Sequence, residues 1–244
     1  MPCALAPHRA YDASMVKCTY YLDVLSQWCY IAEIAVRKLL VAHGSDLEMS
    51  YLLVPLDRDV LPSRDEQLRV YRRSRLISGI DTTAWIANDA QPNTWDANAA
   101  TLAASMMGVD FYAVRARIGE AALLRGMPLG DPGEAFAFVS REFELDPLRL
   151  REVAQSPDVR TQLEKNRAAF IANGLHVRPS FVLRNGIGDH IVLGGQYDFG
   201  ILNAAVQSLN VDEALYQSFE REAEAGVGEP ASIARSTSSS GHRR

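Results

Sequence analysis

The stretch "LDVLSQWCYIAE", Leu22–Glu33, begins as an apolar run, breaks at Ser26, and restarts with helical spacing. Upstream, "KCTYYLDVL" from Lys17 to Leu25 is rich in tyrosine and in β-branched or aliphatic residues, the composition of a strand. Downstream, Trp28 to Ala42 places Ile31, Ile34, Ala35 and Leu39 at helical intervals, and His43-Gly44 supplies the glycine on which helices commonly stop. A second strand, "LEMSYLLVPL" from Leu47 to Leu56, follows and is closed by Pro55 and Pro62. Strand, helix and strand with short connections form a βαβ unit. The break between strand and helix therefore sits at a helix N-terminus, and it carries Ser26-Gln27-Trp28-Cys29, a hydroxyl and a thiol three residues apart.

From about 64 to 173 the pattern is helical. Asn93 or Thr94 caps a helix through "ANAATLAASMMG", which Gly108 stops. Shorter helices follow over Asp110–Arg125, Gly133–Phe143 and Pro147–Ala154, and Pro157 opens a longer one that ends at Gly174. Strand character returns in "PSFVLRNGIGDHIVLGG", Pro179–Gly195, where an Asn- and Gly-rich turn joins two apolar runs as a hairpin. A last helix is expected over roughly Asp198–Leu209. The order predicts an α/β fold with a helical insertion between its βαβ and ββα halves. Residues 1–15 are expected to be a flexible arm, 16–218 one domain, and 219–244 a disordered tail poor in bulky apolar residues.

Composition limits the function. The chain has 244 residues, 48% apolar and 23% charged, enough for one continuous core. A net charge of -5 gives no reason to expect nucleic acid, whose protein ligands usually show a basic face. No window approaches the roughly 18 apolar residues of a membrane span, and no signal peptide is visible, so a cytoplasmic protein is expected. Three cysteines, Cys3, Cys18 and Cys29, imply no disulfide framework, and five scattered histidines offer no metal site.

Strand, S-Q-W-C-Y at a helix start, a helical block, then V-R-P-S-F-V before a hairpin: this series resembles the DsbA-like branch of the thioredoxin superfamily. The branch holds disulfide oxidoreductases, kappa-class glutathione transferases and 2-hydroxychromene-2-carboxylate isomerases. The resemblance spans about Lys17–Leu209 and implies a thioredoxin-like fold. It puts Ser26 in the place of the nucleophilic cysteine, Cys29 in that of the second, and Pro179 in that of a cis-proline facing them. A homodimer would fit the family's habit. The transferases and isomerases also carry an acidic Ser-Asp pair after the last strand. Here that stretch reads "LGGQYDFG", Leu193–Gly200, with Gln196 or Asp198 as the available substitutes.

The chemistry follows from the residue types. A helix N-terminus carries unpaired N–H groups and about half a unit of positive charge, which favours a thiolate. Dithiol exchange needs an attacking and a resolving thiol, and Ser26 cannot be either. A hydroxyl can still donate a hydrogen bond to a thiolate brought by another molecule. The first reading is therefore that Ser26 stabilises the thiolate of bound glutathione for transfer to, or isomerisation of, a small electrophile. As the resemblance implies, Gln27, Trp28, Arg178, Pro179, Ser180 and Gln196 would line the glutathione site. The second is thiol–disulfide oxidoreduction, either monothiol through Cys29 or as a Cys-to-Ser variant of a C-x-x-C site. The third is a non-catalytic thioredoxin-like binding protein. Plainer roles stand beside these: Ser26 as a cap accepting from the Cys29 N–H, Cys29 and Cys18 as core, and Pro179 as a strand start. Trp85, Trp95, Met106, Met107 and Phe111 read as core or cleft, and Arg69, Arg72, Arg73 and Arg75 as a solvated helix face.

Overall fold

The computed structural model describes residues 15–56, 64–84 and 94–226. Strands β1 (Val16–Leu22) and β2 (Leu47–Leu53) flank helix α1 (Gln27–His43). The insertion follows as α2 (Arg64–Ser78), α3 (Thr94–Met106), α4 (Phe111–Gly119), α5 (Glu134–Glu142), α6 (Pro147–Ala154) and α7 (Pro157–Ala172). The chain then forms β3 (Ser180–Arg184), β4 (His190–Gly194) and α8 (Phe199–Gly226). This is the α/β architecture with a helical insertion that the residue pattern predicts, and the thioredoxin-like fold that the resemblance implies. Asn93, Trp85 and Cys3 lie outside the described residues.

The sheet has the order β2-β1-β3-β4. β1 pairs in parallel with β2 from Val16↔Leu47 to Leu22↔Leu53, and antiparallel with β3, where Tyr20 faces Phe181 and Tyr21 faces Ser180. Alternation along a strand sends successive side chains to opposite faces, and each face has its own cover. Tyr20 and Phe181 stack at 4.5 Å on the face where Leu22 and Leu183 join the main core with α1 and α8. Tyr21 and Val182 lie on the other, in a smaller cluster with Phe170 of α7. Alanines 97, 99, 100, 103 and 104 make α3 thin enough to be buried among the surrounding insertion helices, against which it packs.

Two boundaries differ from expectation. β1 ends at Leu22 rather than Leu25, because the Asp23 side chain accepts a 2.8 Å bond from the Leu25 N–H and turns the chain. The last helix continues past Leu209 and beyond 219 to Gly226. The buried Glu213 side chain accepts from the Gly186 N–H at 3.0 Å, which ties the middle of α8 to the β3–β4 turn. "VDEALYQSFERE" continues with good helix formers but turns Val211, Leu215 and Phe219 to solvent, so it lacks the usual signal of a packed helix.

Candidate active site

Register brings three chain segments to one edge of the sheet. β3 runs antiparallel to β1, so its start lies beside the end of β1. The parallel β2 ends there too, and the Val54 N–H donates to the Leu22 carbonyl at 2.8 Å. The loop before α1, the 54–56 segment and the Arg178-Pro179 loop therefore meet. Arg178-Pro179 is a cis peptide bond, and Pro179 is buried. The Arg178 Nη2 donates to the Pro55 carbonyl at 3.1 Å, and its guanidinium lies 4.8 Å from the Phe170 ring centroid.

Ser26 is the N-cap of α1. Its backbone is extended, and its Oγ accepts from the Cys29 N–H at 3.4 Å. That bond uses a lone pair, and the hydroxyl proton is within hydrogen-bonding reach of the Cys29 sulfur. The residue is half-buried. Cys29, by contrast, is 2% exposed, and burial pushes its thiol up to about 12. The nearby Ser26 hydroxyl acts in the opposite direction, and desolvation outweighs it. Thiolate chemistry at neutral pH is therefore closed to Cys29 in this packing.

The remaining predicted residues divide. Trp28 is half-buried and stacks on Tyr197 at 4.9 Å, which draws the turn holding Gln196 alongside the start of α1. Gln27 points inward, its Oε1 accepting from Ser74 and Thr82 at 3.0 Å each, so only its backbone faces the N-terminus of the helix. The Ser180 hydroxyl is spent on the Val177 carbonyl at 2.6 Å. Asp198 caps α8 through the Ile201 N–H at 3.1 Å. The α2 arginines 69, 72, 73 and 75 are solvent-exposed, while Met107 and Phe111 pack against the core. No group of three His, Cys, Asp or Glu side chains among the described residues could hold a metal ion.

One residue escaped the sequence reading. Asp23 is fully buried beneath the cap and accepts from the Leu25 N–H (2.8 Å), the Leu56 N–H (2.9 Å) and Asn98 Nδ2 (2.9 Å). Burial still holds its carboxyl above the usual range. It locks the cap loop to the 54–56 segment and to α3. Its partner Asn98 is 75 positions away, so no local pattern could mark it.

Comparisons with known proteins follow this geometry. The fold is similar to the cytosolic disulfide reductase DsbM from Pseudomonas aeruginosa, with TM-score 0.60 and 18% identity over 83% of this chain and 99% of that one. A thioredoxin-like oxidoreductase from Silicibacter pomeroyi DSS-3 gives 0.54 and 19% over 79% and 85%. The oxidoreductase DsbA from Xylella fastidiosa gives 0.55 and 15% over 82% and 87%. At these identities the likeness is one of fold. No curated protein matches the chain in sequence. The family model of the DSBA-like thioredoxin domain matches residues 18–204, and the chain belongs to that family.

Proposed function

We propose that this DsbA-like protein binds glutathione at the start of α1 and uses the tripeptide's thiolate, held by the Ser26 hydroxyl, on a small electrophilic substrate. One observation carries the reading: the chain's own thiol at this site is sealed and neutral, while the hydroxyl beside it is half-open and can turn its proton from the Cys29 sulfur to an incoming thiolate. The N–H groups of the first turn add their partial positive charge. On binding, the glutathione thiol releases its proton to solvent. Its sulfur then forms a C–S bond with the electrophile, and either a leaving anion departs (transfer) or the sulfur is expelled again after rearrangement (isomerisation). Cis-Pro179 and its neighbours offer backbone to the tripeptide, and the Trp28–Tyr197 pair and Gln196 flank the opposite side. A relative of the same fold, DsbM, has been solved with GSH, which supports the ligand class. A cytosolic setting belongs to this reading, since thiols are kept reduced there.

The test is a calorimetric titration of reduced glutathione, with the ultraviolet absorbance of its thiolate followed against pH. Saturable binding at millimolar concentration or below is expected, with the bound thiol titrating at least about one pH unit below its free value of about 8.5. Ser26→Ala keeps binding and loses the shift. Absence of saturable binding ends the proposal.

Family membership favours a second reading, thiol–disulfide oxidoreduction from a site that retains its second cysteine. The buried state of Cys29 opposes it for the chain as it stands.

A further inference from the structure

Helix α8 is poor in charge over most of its length. From Phe199 to Phe219 its charged residues are Asp212 and Glu213, and Glu213 is buried. Surface helices ordinarily turn charged and polar side chains away from the core. Here Leu202, Val206 and Leu209 face inward, while a second row faces solvent. Ile201, Ala204, Ser208, Val211 and Leu215 are exposed at steps of three and four residues, and Phe219 continues the row one turn on. Val211, Leu215 and Phe219 are each more than half exposed. Such steps set one narrow seam along a helix, the pattern by which two helices pack together. From Ile201 to Phe219 the seam runs about 27 Å at 1.5 Å per residue.

The order of residues in the seam says what covers it. Ala204 and Ser208 precede Val211, Leu215 and Phe219, so small residues lead and large ones follow. Lay a second copy of α8 antiparallel, with a two-fold axis level with the 209–210 peptide. Ala204 then lies opposite the partner's Leu215, and Ser208 opposite the partner's Val211. Ile201 comes level with the partner's Ser218, beside the partner's Phe219. A two-fold contact requires this, because one patch must complement itself.

Charge agrees with the antiparallel sense. Arg221, the one basic residue of α8, comes level with the partner's Asp198, an exposed carboxylate at the helix start. Glu220 and Glu222 lie beside the positive amino-terminal end of the second helix, and the two macrodipoles oppose. Parallel pairing would bring both acidic ends together. A lipid surface is a poorer cover, since helices that lie on membranes carry Lys and Arg on their polar face and α8 has a single Arg.

We propose that this face of α8 is a dimer interface, in which two copies of the chain pair antiparallel through the seam from Ile201 to Phe219. Ser26 caps a different helix, and the dimer is expected whether or not glutathione binds, so the two proposals fail separately.

The experiment is sedimentation velocity on the full chain at micromolar concentration, with and without glutathione. A species of twice the 26.9 kDa chain mass is expected. Leu215→Glu sets a carboxylate on the seam of both copies and should weaken the dimer by at least about a hundredfold, with the helical circular dichroism unchanged. Leu215 is exposed in the single chain, so its replacement leaves the core intact. Ala204→Cys and Leu215→Cys test the register. Under mild oxidation a mixture of the two variants should form the 204–215 disulfide, identified by peptide mapping, at least about tenfold faster than either variant couples to itself, because like positions lie too far apart to bridge. A monomeric parent, a Leu215→Glu protein as dimeric as the parent, or self-coupling as fast as mixed coupling each overturns the inference. So does a monomeric parent that sediments with phosphatidylcholine vesicles, which would give the seam to lipid.

Discussion

Native Cys29 is expected to resist alkylation to a degree set by its burial. A free cysteine titrates near 8.5 and is about 3% thiolate at pH 7. With its thiol pushed up to about 12, Cys29 holds about one thiolate in 100,000 at that pH. Since only the thiolate reacts, iodoacetamide should modify native Cys29 at least about a thousandfold more slowly than the same residue in the urea-unfolded chain. Restricted access at 2% exposure slows it further. Timed quenching and peptide mass mapping resolve the individual sites. Cys18 serves as an internal standard, being buried in β1 with its thiol also pushed to about 12. Alkylation of native Cys29 within tenfold of the unfolded rate, while Cys18 stays protected, would refute the reasoning. It would show a reactive thiolate and return the chain to the oxidoreductase reading.

Three further outcomes follow from the same geometry. Ser26→Cys supplies an attacking thiol at the exposed end of α1 and should create insulin-reducing activity that the parent chain lacks; equal activity in both would mean that Cys29 works alone. Asp23→Asn places an amide among three donors and should cost about 2–4 kcal/mol by urea denaturation. Burial raises the folded pKa of Asp23, so its contribution is fully present below the unfolded value of about 3.9 and is lost as pH rises through the folded one. The parent should therefore lose stability over that rise, and Asp23→Asn should lack this component of the pH dependence. Arg115→Met strands the Glu33 carboxylate and should cost about 3 kcal/mol or more, whereas the double change with Glu33→Leu should recover most of it; a double variant as unstable as the single would show that the ion pair is not the cause.

Most of the scaffold was legible in the chain because its signals are local. Tyrosine-rich and aliphatic runs mark β1 and β2, and Gly44, with φ 52°, ends α1 where a left-handed backbone is needed. Prolines at the first turns of α6 and α7 mark their starts, and "RNGIGD" marks the hairpin. Ser26 could be read as a cap for the same reason, since its bond reaches only three residues ahead. The state of that site could not be read. Whether Cys29 is a thiolate or a sealed thiol depends on which side chains exclude water from it, and these arrive from elements far along the chain. Asp23 with Asn98, Glu33 with Arg115 and Gln27 with Ser74 and Thr82 are all pairings across such distances. Periodicity within one chain segment decides which face of an element turns inward; dielectric environment, paired charge and cavity shape are properties of the packed ensemble of segments and exist only once they meet.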